Sequence, residues 1–370
     1  MRPAFSSTKQ AMAFALLLLV LLLAPALAGK RILPPREAIY SSIWWENGDF
    51  PYMDGQIFSK TGPMDIVFMG SSHIWAAFNT PNIQAQLSKQ LGRPAIVRTF
   101  GWGGPGYDEL YFTAQDLLAY HRVRMLVFDD DCSDSGLPHL LAPRMYRYAD
   151  NANSLNGLPA SFQAMYYFGS IMGLPRNLLA MVHSNLPADL NAPNYWVTRS
   201  HAENFSNNLG TFVARSGFRS GPNAQPEPFV QYTPQTDASP SDVCVYSDNT
   251  KANFAFSAEP LPLSQIHFLR ELTALARQSG CKLVVIHVPI FDERRSPQIA
   301  MPAFQPDVLP ADVAIVGIPP ATFFKGLADD DIRKLYSDSV HLNQNGQNYF
   351  TRLMMPALLK LYDGTRASSH

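Results

Sequence analysis

The chain has 370 residues, 46% of them hydrophobic and 16% charged, with a formal net charge of −1. That composition belongs to a folded globular protein and excludes an extended disordered chain. The near-neutral balance leaves no broad basic field, so nucleic acid is not an expected partner.

The first elements are in the N-terminal stretch. Arg2 and Lys9 precede an apolar run from Ala11 to Ala24, and Pro25-Ala26-Leu27-Ala28 leads to Gly29. A basic start, an apolar stretch and small residues at its end make residues 1–28 a signal peptide, with an uncleaved N-terminal anchor as the alternative. The run is short of the roughly 20 residues a span needs. Either way the bulk of the chain is expected to be exported, periplasmic or extracellular.

Residues 29–62 form a lead-in. Asp65–Met69 is an apolar run ended by Gly70, which suits a buried parallel strand. A helix follows over 81–91, with Ile83, Leu87 and Leu91 on one face and Gly92 as its stop. Residues 95–100 read as a second strand, 107–120 as a helix and 125–128 as a third strand. The β-α-β-α-β rhythm predicts an α/β fold, a central parallel sheet with helices on its faces. It breaks over 135–258, a large insertion or cap with one helical stretch near 162–182. It resumes with a helix over 263–279, a fourth strand over 282–288, a fifth over 312–317 and a closing helix over 344–362 containing Pro356. The core domain is thus 63–134 together with 259–364.

Three stretches carry chemistry. Gly70-Ser71-Ser72-His73 directly follows the first strand, and open α/β sheets bind ligands outside the carboxyl ends of their strands. Asp338-Ser339-Val340-His341 precedes the final helix. An Asp three residues before a His can hold Nδ1 and leave Nε2 facing a serine, which is what an activated nucleophile needs. Phe100-Gly101-Trp102-Gly103-Gly104-Pro105-Gly106 follows the second strand, and such a turn exposes backbone N–H groups for an oxyanion. It lacks the Lys-Ser/Thr ending of a phosphate-binding P-loop. Neither the cysteines nor any other spacing suggests a metal, and no cofactor is expected.

Together these stretches resemble the SGNH (GDSL-like) serine hydrolase superfamily over roughly 63–134 and 263–362. The resemblance implies a three-layer, flavodoxin-like sandwich and a triad of Ser72, His341 and Asp338. It also implies an oxyanion hole from the N–H groups of Ser72 and Gly104, with Gly101 as the next match. Ser71 replaces the Asp of the usual Gly-Asp-Ser block. The Asn that the family places after its third strand is missing; Asp131 or Cys132 falls there, in the run Asp129-Asp130-Asp131-Cys132. The Gly-Ser-Ser variant beside an apolar N-terminus looks like exported envelope members, such as alginate-type O-acetyltransferases and the protein that helps D-alanylate teichoic acids. The expected function is an esterase or O-acyltransferase acting on an acyl ester or acylated glycan, with a membrane acyl-transfer partner. The competing expectation is a non-catalytic glycan-binding envelope protein with a degenerate site.

Other residues have blander readings. His73 should turn away from the nucleophile, and His287, inside a strand, should be a satisfied core histidine. Trp44, Trp45, Trp75 and Trp102 are candidates for a sugar platform or for the core. Asn204-Phe205-Ser206 fits a glycosylation acceptor. Export permits a disulfide, and Cys244 with Cys281 is the expected pair, with three free thiols as the alternative.

Overall fold

The computed structural model describes the chain except residues 1–4, 28–32, 44–48, 132–135, 183–204, 207–208, 222, 305–308 and 368–370. Six strands build its main sheet: β1 (Met64–Gly70), β2 (Val97–Gly101), β3 (Val123–Asp129), β4 (Cys244–Val245), β5 (Lys282–Ile286) and β6 (Ala314–Gly317). Their spatial order is β2-β1-β3-β5-β6-β4, parallel throughout except for β4, which pairs antiparallel to β6. Helices cover both faces, so the fold is a three-layer α/β sandwich, as the rhythm of strands and helices predicts.

The layers follow from strand alternation. In β1, Ile66 and Phe68 join one apolar cluster and Val67 and Met69 the other. In β3, Met125 and Val127 share the side of Ile66, while Leu126 and Phe128 face the opposite way. Every residue of β1 is buried, the signature of a strand covered on both faces. One cluster packs under α4 (Tyr107–Tyr120) and α6 (Leu263–Gln278), with the lead-in helices Glu37–Ser42 and Phe50–Ile57. The other packs under α2 (Ser72–Ala77), α3 (Thr80–Leu91) and α7 (Gln344–Ala367).

Two further long helices are α1 (Thr8–Leu27) and α5 (Ala160–Val182). They lie together, Tyr167 donating from its hydroxyl to the Leu22 carbonyl at 2.6 Å. Leu16, Leu17, Leu19 and Leu21 of α1 are exposed. Among the described residues, no helix is long and apolar enough to cross a membrane.

Two features depart from the sequence reading. The 135–258 stretch contributes β4 to the main sheet, where Cys244 and Val245 pair with Gly317 and Val316. A two-residue strand has no periodicity to betray it. The expected disulfide is absent: Cys244 and Cys281 are both free, buried thiols. The Cys244 thiol accepts from Asn253 Nδ2 at 2.9 Å, and burial pushes the Cys281 thiol up to about 12.

Candidate functional site

The site assembles at the carboxyl rim of the sheet because parallel strands end together. Gly70 is in register with Gly101, and Asp129 with Ile286. The segments that follow those strands therefore share one edge. A cavity of about 380 Å³ lined by Gly62, Pro63, Tyr120, Arg122 and Arg124 lies at the opposite end, before β1 and β3.

Ser71 is the N-cap of α2, its hydroxyl accepting from the His73 backbone N–H at 3.2 Å, a role short polar side chains fill well. That cap makes Ser72 the first residue of α2, so its N–H has no intrahelical acceptor. The second partner comes from the far end of the chain. Tyr336 and Leu342 form a bridge that closes the loop between them, and the Ser337 N–H donates to the His341 carbonyl at 2.9 Å. Asp338 Oδ1 accepts from the N–H groups of Val340 at 2.9 Å and His341 at 2.8 Å. The His341 ring folds back so that Nδ1 lies 2.9 Å from each carboxylate oxygen of Asp338.

Across the rim, His341 Nε2 is 2.7 Å from Ser72 Oγ. With Nδ1–H given to Asp338, Nε2 carries a lone pair and accepts from the serine hydroxyl. Burial pushes the Asp338 pKa up, but the His341 hydrogen bond and charge and the two backbone N–H groups outweigh it, leaving about 2. The side chains of His341 and Asp338 are 22% and 21% exposed, so the pair is reachable from solvent. The structure thus brings Ser72, His341 and Asp338 together from segments joined only by the fold.

The glycines divide. Gly104 has φ +86°, a left-handed conformation that glycine adopts freely, with His139 as its side-chain neighbour. His139 Nε2 lies 3.0 Å from the Gly103 carbonyl. Gly101 is instead the last residue of β2, and a Cβ there would overlap the Trp75 ring. Its carbonyl accepts from the Asp49 N–H at 3.3 Å. Its need for glycine is explained by packing.

The acidic run is not a solvated loop. Asp129 is 3% exposed and sits where Gly70 has no side chain: Gly70 has φ +155° and a Cβ there would overlap Asp129 Oδ1. The Ser71 hydroxyl bonds to Asp129 Oδ2, and to Asp131 Oδ2 at 3.1 Å. One hydroxyl proton cannot serve both carboxylates. Burial and the Asp131 charge raise the Asp129 carboxyl well above the ordinary range. Cys132, the other residue at the third-block position, lies outside the described residues.

His73, expected to turn away, stands beside the pair, its ring 5.6 Å from that of His341. Its Nδ1 is 3.5 Å from Asp131 Oδ2. Burial, then the nearby His341, lower its pKa to about 4, so it is neutral near pH 7. The ligand atoms of His73, Asp129 and Asp131 lie within 4.8 Å of one another, close enough for a cation. Ser71 Oγ bridges the two carboxyl groups.

Trp75 and Trp102 are core, at 6% and 1% exposed. The Trp75 indole N–H donates to the Gly210 carbonyl at 2.8 Å. They offer no sugar platform, and Trp44, Trp45 and Asn204 lie outside the described residues. The residues sequence reasoning passed over are Asp129 and the supporting role of Ser71. A Ser directly before the first turn of a helix is the signal for the cap; nothing local marks Asp129 as buried.

A scan of protein-family models and a search of the curated proteins both found no match to this chain.

Proposed function

We propose that this protein is a serine esterase or O-acyltransferase working through an acyl-enzyme on Ser72. The observation that carries the reading is the 2.7 Å contact from Ser72 Oγ to His341 Nε2, with His341 Nδ1 held by Asp338 at 2.9 Å. Nucleophile, base and orienting carboxylate stand in hydrogen-bond sequence, the recurrent geometry of acyl transfer.

In this reading His341 Nε2 takes the Ser72 proton as Oγ attacks the ester carbonyl. Asp338 stabilises the imidazolium that forms. The tetrahedral oxyanion is met by the N–H groups of Ser72 and Gly104. It collapses as His341 gives its proton to the departing alcohol, leaving an acyl-Ser72. Water or a sugar hydroxyl, deprotonated by His341, then takes the acyl group and restores the serine. Asp129, Asp130 and Asp131 stand where a third donor would come from. The loss of one such donor costs about 2.7–4 kcal/mol of transition-state stabilisation, which slows such a site without abolishing it. Acylated glycans as substrates and a membrane acyl-transfer partner rest on the sequence resemblance, and an exported location on the basic, apolar and Ala-x-Ala pattern of residues 1–28.

The test is labelling by a fluorophosphonate probe together with hydrolysis of an activated acetyl ester. Wild type should label and turn over, and Ser72→Ala should do neither. Full ester turnover by Ser72→Ala would end the proposal. A folded wild type that refuses the probe would favour a glycan-binding protein on a degenerate site.

A further inference from the structure

His287 follows β5 and continues its ladder, its N–H donating to the Val316 carbonyl at 2.9 Å. The ring is 5% exposed, and both its nitrogens face carboxylates. Nδ1 is 2.9 Å from Asp130 Oδ2, and Nε2 is 3.1 Å from Glu293 Oε2. A neutral imidazole has one N–H and one lone pair, and a lone pair aimed at a carboxylate oxygen is repulsive. Two carboxylate acceptors therefore require two N–H donors, hence an imidazolium.

What this cation joins matters more than its charge. Asp130 is the residue after β3, and its N–H donates to the Ile286 carbonyl at 3.2 Å. Glu293 closes the turn Phe291–Glu293 and also accepts the Ile290 N–H at 3.1 Å. That turn grips the loop of Asp338 and His341. The Phe291 N–H donates to the Ser339 carbonyl at 3.0 Å, and the Tyr336 hydroxyl donates to the Pro289 carbonyl at 2.6 Å.

We propose that His287 is a positioning residue held as an imidazolium, fastening the Asp338–His341 loop to the tip of β3 so that Nε2 of His341 meets Ser72. This rests on the catalytic reading of Ser72. The groups facing the ring are Asp130 beyond β3, Glu293 in the turn and neutral His73 in α2. Gly317 of β6 packs on its Cβ and brings no charge. Burial disfavours the cation, but Asp130 and Glu293 outweigh it and raise the pKa to about 10. The fixed positive charge also helps to keep His73 neutral, leaving His341 as the base next to the serine.

Two measurements test this. In the full-length protein, histidine NMR across neutral to mildly alkaline pH should show one ring that stays doubly protonated while others titrate, and that signal should vanish in His287→Gln. Glu293→Gln, the milder variant, should lower kcat for the activated ester at least about tenfold with KM nearly unchanged, the signature of lost alignment. A His287 ring that titrates below neutrality, or a Glu293→Gln variant with wild-type kcat, overturns the proposal. Failure of Ser72 itself is read separately: a wild type inert to fluorophosphonate sinks the catalytic reading, while the NMR result still reports on the charge of His287.

Discussion

Replacing Asp338 by Asn changes one atom and should disable the serine. Asp338 Oδ1 already accepts two backbone N–H groups, from Val340 and His341, at 2.9 and 2.8 Å. An Asn would keep its amide oxygen there, because only the oxygen can accept. The NH2 then takes the place of Oδ2, 2.9 Å from His341 Nδ1. Oδ1 is also 2.9 Å from Nδ1 but already serves two backbone N–H groups, so the arrangement favours a lone pair on Nδ1 toward the NH2 and the ring proton on Nε2, facing Ser72 Oγ at 2.7 Å. A protonated Nε2 cannot take the serine proton. Two magnitudes bound the effect. The carboxylate's pKa lies at about 2 against an ordinary 3.8. At 1.36 kcal/mol per pKa unit, the net of its donors over burial favours the carboxylate by about 2 kcal/mol. Losing that alone slows acylation roughly 30-fold. Full reversal of the tautomer costs roughly 10⁴-fold in kcat where the same substitution has been made in a serine triad. Initial rates on an activated acetyl ester near neutral pH, with Ser72→Ala as background, give the answer. A rate within about threefold of wild type would refute the argument, since neither the charge nor the tautomer would then matter.

The His287 cation makes a second, thermodynamic prediction. Its folded pKa of about 10 lies above the ordinary 6.5, so its stabilisation is fully present below about 6.5 and fades as pH rises toward 10. Urea midpoints should fall over that window in wild type and less steeply in His287→Gln. Gly70→Ala should cost about 2–4 kcal/mol, because the added methyl meets the Asp129 carboxyl at a positive φ. An unchanged melting temperature would contradict the packing described here. Alkylation under denaturing conditions without reductant should modify both Cys244 and Cys281, since neither is bridged. The native Cys281 thiol should react slowly, its pKa pushed to about 12 by burial.

The parts of this molecule that were legible in its sequence are those where burial writes a pattern. β1 is apolar because both its faces are covered, and α4 spans Tyr107–Tyr120 as its periodicity predicts. Asp338 and His341 were legible because their partnership is local, three residues apart in one loop. What failed to show depends on distant partners. Asp129 looks like one of three solvated acids until the fold sets it under Gly70. The expected pairing of Cys244 with Cys281 follows from export and from the place of Cys132 beside a site strand, and spacing along the chain says nothing of the distance between β4 and the start of β5. Strand β4 has two residues, too few for any period. His73 was misjudged because the Ser71 cap sets the start of α2 and with it the direction of the ring.

The acidic run after β3 was the strongest sequence argument for a degenerate site, and its placement changes what that argument is worth. One buried and two half-buried carboxyl groups in succession are costly unless each finds a partner. Here each does: Asp129 with Ser71, Asp130 with His287, and Asp131 with Ser71 and His73. Each of those partners leads back to Ser72 or to the loop of Asp338 and His341. Ser71 caps the helix that Ser72 begins, His73 stands against His341, and His287 is tied through Glu293 and Phe291 to the loop of Asp338. The run therefore acts on the site as a scaffold rather than as a defect in it. Removing any one of these carboxyl groups should disturb the distance from Ser72 to His341 before it disturbs the sheet.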